Sequence, residues 1–306
     1  MKKSLAKKWK KLRHKQLYLM LLIPIVYLIL FCYAPMYGVI IAFQNYNSFD
    51  GIFGSEWVGF DNFVRFVSQP DFWILIKNTL IISLYSLVVY TIVPIVFALL
   101  LFEVHNKIFR RFVQTITYAP YFISGVIIAT MCYTFLDIDT GIITKLLAAF
   151  GVAPKQYMYL PSAYYTIYVL SGLWQGLGWW TIIYMGTLST VDPSLHDAAT
   201  IDGASRIRRI WHINIPAILP IAVVMFIMAV GNIMSVGFEK SWLLMNPQNK
   251  PAAKIIATYV YEVSMKAQVR QFSLGAAVGL FNSAINIVLL IGANMFSKHL
   301  TKTSLW

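Results

Sequence analysis

The sequence predicts an all-α integral membrane protein with six transmembrane helices, cytoplasmic N- and C-termini and one helical loop presented to the cytoplasm. Three observations predict it. First, 58% of the 306 residues are hydrophobic and only 12% charged, against about 45–50% and about 25% in soluble domains; the mean hydropathy is +0.66. Second, six apolar stretches, 17 to 43, 78 to 102, 112 to 136, 163 to 190, 213 to 236 and 275 to 296, each supply the about 20 helical residues that cross a hydrocarbon core of about 30 Å. Third, the basic residues are distributed unevenly between the segments that join these stretches. A soluble globular protein is excluded.

Taken in order, the leader, residues 1–16, carries eight basic residues and is expected in the cytoplasm. The stretch after it is too long for a signal-peptide core and no small-residue cleavage pattern follows, so it is expected as an uncleaved first helix. Phe31 stands before Cys32 where lipid attachment would want a small residue. With the leader inside, segments 103–111, 191–212 and the C-terminal tail are inside too. These four hold 16 of the 25 basic residues and four of the 12 acidic ones, leaving nine and eight outside. Lysine and arginine accumulate on the cytoplasmic face, where anionic lipid attracts them. The net charge of +13 is thereby explained by topology, and no nucleic-acid partner is needed.

None of the six stretches contains Asp, Glu, Lys or Arg. Proton- or voltage-coupled transport needs ionisable groups inside the membrane, so such coupling is disfavoured. His14, His105, His196, His212 and His299 fall in or beside cytoplasmic segments without ligand-spaced neighbours, and Cys32 and Cys132 sit far apart in apolar runs. Neither a metal centre nor redox chemistry is expected. The stretches do carry Pro24, Pro35, Pro94, Pro120, Pro216 and Pro220 and the amides Asn78, Gln114, Gln175, Asn232, Asn282 and Asn286. Prolines in membrane helices mark kinks whose freed carbonyls need partners. Amides make interhelical hydrogen bonds or line a wet cavity.

The most informative segment is 191–212. Ser194 is placed to cap a short helix, with Asp197 three residues on in the manner of a capping box. Gly203 then permits a sharp turn, and Ile207, Ile210 and Trp211 form an apolar stripe beside Arg206, Arg208 and Arg209. The expectation is a bent amphipathic element. Asp197-Ala198-Ala199-Thr200-Ile201-Asp202-Gly203-Ala204-Ser205, with Ile215-Pro216 and Pro220 downstream, resembles the EAA loop of permease subunits in binding-protein-dependent ABC importers. Asp197 stands where that family usually has Glu, and Ile210 where it usually has Phe.

The resemblance extends along the chain. Trp57 to Phe63, Phe72-Trp73 and Asn78-Thr79 are similar to the outer loop and second span of carbohydrate-uptake permeases, and Gly172 to Trp179 to their fourth span. Gly237-Phe238-Glu239, Asn246-Pro247, Thr258 to Tyr261, Ala277 to Ser283, Ala293-Asn294 and Ser304-Leu305-Trp306 resemble the polysaccharide and complex-oligosaccharide branch. The resemblance implies a multi-pass subunit of a bacterial plasma membrane that imports an oligosaccharide or glycan fragment. It implies as partners a second six-span permease, an ABC ATPase dimer and an extracellular lipoprotein that binds the solute. It further implies that the loop is a coupling helix on the ATPase, with Asp197, Ala198, Ala199, Asp202, Gly203, Ala204, Ser205, Ile207 and Ile210 forming the contact.

No G-x-x-x-x-G-K-[ST] phosphate loop occurs in the sequence. ATP and Mg are therefore expected on the partner ATPase, with no cofactor in this chain. Sugars stack their C–H faces on aromatic rings and hydrogen-bond through their hydroxyls, which makes Trp174, Gln175, Asn232, Asn282 and Asn286 candidates for the substrate pathway; Trp179 and Trp180 read as an interfacial belt. Two domains of interest follow, the basic segment 1–16 and the membrane domain 17–306, with the coupling loop 191–212 and an external loop 237–274. In that loop the tract 251–264 reads as an amphipathic helix, with Ile255, Ile256, Tyr259, Val260 and Val263 on one side, lying on the outer membrane surface or against the binding protein. The alternatives are a passive six-span channel or facilitator for small polar solutes, which has no reason to build the 191–212 loop, and a membrane enzyme, for which no titratable cluster exists.

Overall fold

A computed structural model describes residues 15–301; the leader ahead of Lys15 and the terminal Ser304-Leu305-Trp306 lie outside the described residues. Helix α1 (Gln16–Phe43) is exposed along most of its length, as an apolar rod in lipid is. It contains Pro24 and widens into a π turn over Leu28–Tyr33, just before Pro35. A proline lacks the N–H that continues the helix and its ring crowds the carbonyl four residues back, which a wider turn relieves. Only its last turns, Tyr37–Phe43, pack on the final helix.

A short hairpin follows, strand β1 (Gln44–Asn45) antiparallel to β2 (Glu56–Trp57). Asn62, on helix α2 (Asp61–Val67), ties it down by donating to the carbonyls of Ala42 and Gln44, each at 3.0 Å. Helix α3 (Phe72–Phe102) begins six residues before the expected stretch. The third stretch departs most from expectation: it is two helices, α4 (Lys107–Phe122) and α5 (Gly125–Phe135), bent by 104°. Pro120 tightens the end of α4 into a 3-10 turn, and Ser124 then caps α5, its Oγ accepting from Ile127 N at 3.5 Å. After α6 (Ile142–Ala149) comes α7 (Pro161–Leu188), a 28-residue helix. Among the described residues four helices, including α1, α3 and two described below, are long and apolar enough to cross a membrane, and five if the bent pair is one span. Six were expected. Helix α7 has the length but is diluted by Trp, Tyr, Gly, Ser and Thr.

Helix α8 (Pro193–Ile201) leads through a turn into α9 (Arg206–Val230). A π turn over Ile210–Asn214 precedes Pro216, as at Pro35. The helix stops at Val230, so the last six residues of the expected fifth stretch are unwound. Asn286 compensates: its Oδ1 accepts from Met234 N at 3.0 Å and its Nδ2 donates to Ser235 Oγ at 2.8 Å.

Segment 237–274 departs from expectation as well. Instead of a surface helix it forms α10 (Phe238–Leu244), α11 (Lys250–Ala253) and α12 (Ile256–Tyr261), folded in among the long helices. Leu244, Ala253, Ile255, Ile256, Thr258 and Tyr259 are all buried, and Val260 and Val263 pack on the core, so the expected apolar side faces the interior of the protein. Polar side chains hold its irregular backbone, because a buried carbonyl without a partner is costly. Asn78 donates to the carbonyls of Pro251 at 2.8 Å and Lys254 at 2.9 Å and accepts from Tyr165 OH at 2.7 Å. Asn249 donates to the carbonyls of Met158 and Leu244, each at 2.9 Å. Helix α13 (Phe272–Thr301) closes the bundle. One apolar cluster joins Phe66, Phe72, Leu75, Tyr259 and Leu274; a second joins Tyr164, Tyr168, Leu244 and Ile255; a third, at the end of the bundle that carries α8, joins Ala98, Leu99, Tyr184, Leu188 and Ile218.

Candidate functional site

Two features stand out, a bent surface element and an internal cavity. The element is built around Gly203. Asp192, not Ser194, caps α8: its carboxylate accepts from Ser194 N at 2.9 Å, with Pro193 in the first helical position. Aspartate is a strong cap and proline fits a position whose N–H is unpaired anyway, so this pair outcompetes the expected Ser194–Asp197 box. The Ser194 backbone N–H, then its hydroxyl, holds the Asp192 carboxyl below the ordinary carboxylate range. Helix α8 ends in a Schellman turn, in which Ala204 N donates to Ala199 O at 2.8 Å and Gly203 N to Thr200 O at 3.1 Å. Gly203 sits at φ +74°, with open space where a side chain would start. Ser205 Oγ then accepts from Arg208 N at 3.4 Å and starts α9, and the Arg209 guanidinium reaches back to the Thr200 hydroxyl.

Asp197, Ala198, Asp202 and Ser205 are exposed, and Ala199 and Ala204 half-buried. Ile207 is 69% exposed and Ile201, which is not among the expected contact residues, is 86% exposed. Ile210, about one turn inside the helix start, is instead half-buried against the cluster of Ala98, Leu188 and Ile218. The second arm of the element is continuous with α9, so a push on the turn is a push on a long helix. Asn214, fully buried, reaches Glu103 Oε1 at 3.5 Å and ties that helix to the end of α3.

The cavity, of about 550 Å³, lies among α3, α7, the unwound residues after α9, and α10. That size is within the roughly 300–1,000 Å³ of small-molecule sites. Its walls mix aromatic faces with polar groups: Tyr90 and Trp180 stack with ring centroids 4.6 Å apart, and Ser83, Gln175, Asn232 and Lys240 are polar members of the lining. Of the five residues expected on the pathway, the structure brings Gln175 and Asn232 together here. Gln175 also donates to the Ile123 carbonyl at 2.8 Å, closing the break between α4 and α5. Trp174, Asn282 and Asn286 are not in the lining; Asn286 serves the backbone after α9, and Trp174 is half-exposed on another face. Trp180, expected in an interfacial belt, is part of the cavity, whereas Trp179 stacks on Tyr121 at 4.7 Å and stays half-exposed.

The sequence pattern puts Lys240 in the external loop; in the fold it turns inward, and its Nζ donates to the Tyr168 carbonyl at 2.6 Å and lies 4.6 Å from the centre of the Tyr168 ring. Burial, which disfavours the charged form, pushes its pKa down to about 8. No sequence signal marked it, because the surrounding segment has the length and composition of a loop.

The profile of the family described as binding-protein-dependent transport system inner membrane component matches residues 91–302. The polygalacturonan/rhamnogalacturonan transport system permease protein YteP of Bacillus subtilis (strain 168) is 42% identical over 289 residues, covering 94% of this chain and 89% of that one. A crystal structure of a bacterial ABC transporter involved in the import of the acidic polysaccharide alginate contains a chain 34% identical, with a TM-score of 0.86 over 97% of this chain and 99% of that one. Another, of the alginate ABC transporter in complex with alginate pentasaccharide-bound periplasmic protein, matches with 35% identity and a TM-score of 0.87, at the same coverage.

Proposed function

The chain belongs to the family of binding-protein-dependent transport system inner membrane components, and we infer from that membership and from the cavity that it is the permease subunit carrying an oligosaccharide or glycan fragment through the membrane in an ATP-driven importer. It is a transport subunit rather than an enzyme; ATP hydrolysis belongs to a separate ATPase subunit, which also holds the ATP and Mg. The observation that carries the reading is the joining of the bent element at Gly203 to the cavity through one continuous helix, α9.

In this reading the chain has six spans, with α7 and the α4–α5 pair completing the four more apolar helices, and cytoplasmic termini. Residues 1–16 are the basic cytoplasmic segment and residues 17–306 the transmembrane domain. The turn from Asp197 to Ser205 docks on an ABC ATPase dimer, with Ile201 and Ile207 entering an apolar groove and Asp197 and Asp202 meeting basic groups at its rim. A second permease completes the pathway, and an extracellular lipoprotein delivers the solute to the face that carries the hairpin. ATP-driven closure of the ATPases moves the turn, and α9 carries the motion to the unwound residues 231–236 that border the cavity. Sugar hydroxyls bond to Gln175, Asn232 and Ser83, and the Tyr90–Trp180 stack offers a flat face to the ring. A passive channel gains nothing from such a lever.

The test is substitution at the bend. Gly203→Val puts a β-branched residue at positive φ, which costs more than the roughly 1–2 kcal/mol for an ordinary residue there. In proteoliposomes holding the complete complex it is expected to abolish ATP-dependent uptake while the protein still inserts, and Gly203→Asn, which tolerates this backbone region, is expected to retain most of it. Wild-type uptake by Gly203→Val contradicts the reading.

A further inference from the structure

Lys240 is a cation in the cavity wall with no anion beside it. The ion pairs among the described residues join Lys250 and Lys254 to Asp71 and Glu262, and none includes Lys240. The titratable side chains facing it are Tyr90 and Cys132 together with Tyr168, none of them a carboxylate. Glu239, its neighbour on α10, turns the other way, against Gly125. An ammonium has three donors. One is used on the Tyr168 carbonyl, which leaves two for whatever the cavity holds.

The position is prepared rather than accidental. Gly172 on α7 leaves room for it: a Cβ there would lie 2.8 Å from Lys240 Nζ and 2.1 Å from Tyr90 OH. Packing the ammonium on the Tyr168 ring gives a partial, diffuse compensation of its charge. Removing a charge from water without a counter-ion is otherwise a pure loss, and stability alone favours an uncharged residue at this place. An arriving carboxylate removes that loss and gains charge-assisted hydrogen bonds.

We propose that Lys240 is the specificity-determining residue of the cavity and recognises the carboxylate of an acidic sugar, so that the substrate class is a uronate-containing oligosaccharide rather than a neutral one. Gln175, Asn232 and Ser83 then bind hydroxyls of the same sugar unit, and the Tyr90–Trp180 stack packs on its ring. The inference rests on the importer reading and narrows its substrate.

The experiment uses the complete complex with its binding protein in proteoliposomes, and compares uptake of trigalacturonate with uptake of its uncharged methyl ester. Lys240→Met is expected to lower acid uptake tenfold or more and ester uptake less than twofold, while Lys240→Arg restores acid uptake. For the wild type, the ratio of acid to ester uptake is expected to fall as pH rises through about 8, where the ammonium loses its proton, and to stay flat in Lys240→Met. Equal losses for both probes, or no loss for either, overturn the assignment of Lys240. Wild-type uptake of the ester but not the acid also overturns it while leaving the importer reading intact. Uptake of either probe without ATP overturns the importer reading itself.

Discussion

Gln175 has one hydrogen bond to spend on structure and the rest on solute. Its Nε2 closes the Ile123 carbonyl left free where α4 breaks from α5, and its position in the cavity lining leaves its oxygen for a ligand. Gln175→Leu keeps the bulk, leaves that carbonyl unpaired and is expected to destabilise the protein by about 1–3 kcal/mol, read as a lower melting temperature in detergent. At this scale the sequence carried part of the answer. The amides were visible as costly polar groups in apolar stretches, but their partners were not. Asn78 and Asn286 look alike in sequence and both turn out to serve irregular backbone, because a break in a helix creates acceptors and donors that only the fold locates. Lys240 was invisible for the opposite reason: a lysine between apolar stretches looks like every other lysine in a loop.

The helices follow the same pattern. Long apolar runs gave α1 and α13 within five residues and α3 and α9 within seven, since nothing but a helix satisfies backbone groups in lipid. The break between α4 and α5 was not legible, because hydropathy averages over a bend. Nor was the folding-in of α10 to α12, where composition resembles a surface loop and burial is imposed by long-range contacts. The bend at Gly203, by contrast, was legible as a glycine between two amphipathic pieces. Element geometry makes two predictions. Where α7 crosses α4, a Cβ on Gly178 would lie 2.5 Å from the Thr117 carbonyl oxygen and from Tyr118 Cα, backbone atoms that cannot step aside. Gly178→Val is therefore expected to separate the two helices, seen as new protease sites in α4 and loss of assembled complex, whereas Gly186→Val, with open space at its Cβ, is expected to leave both unchanged. The lever predicts more. Replacing Trp211 and His212 together by glycine loosens α9 between the turn and the membrane, and is expected to leave ATP hydrolysis running while uptake falls tenfold or more.

Across the whole molecule the account is mechanical. A bundle whose spans are nearly free of charge holds a polar cavity with the Lys240 cation in its wall and a stiff helix leading from it to an exposed turn. In the proposed function the chemistry that drives movement lies on the ATPase, and this chain converts a push into a change in which side of the cavity is open. The most direct measurement places a cysteine at Asn232, in the cavity lining, in a complex whose Cys32 and Cys132 are serines. Its labelling by a membrane-impermeant thiol reagent is followed from each side of the proteoliposome, with and without ATP and the loaded binding protein. The account predicts that labelling moves from one side to the other when nucleotide and loaded binding protein are added, and that Gly203→Val abolishes the shift. Labelling from the same side at the same rate under all conditions would contradict it.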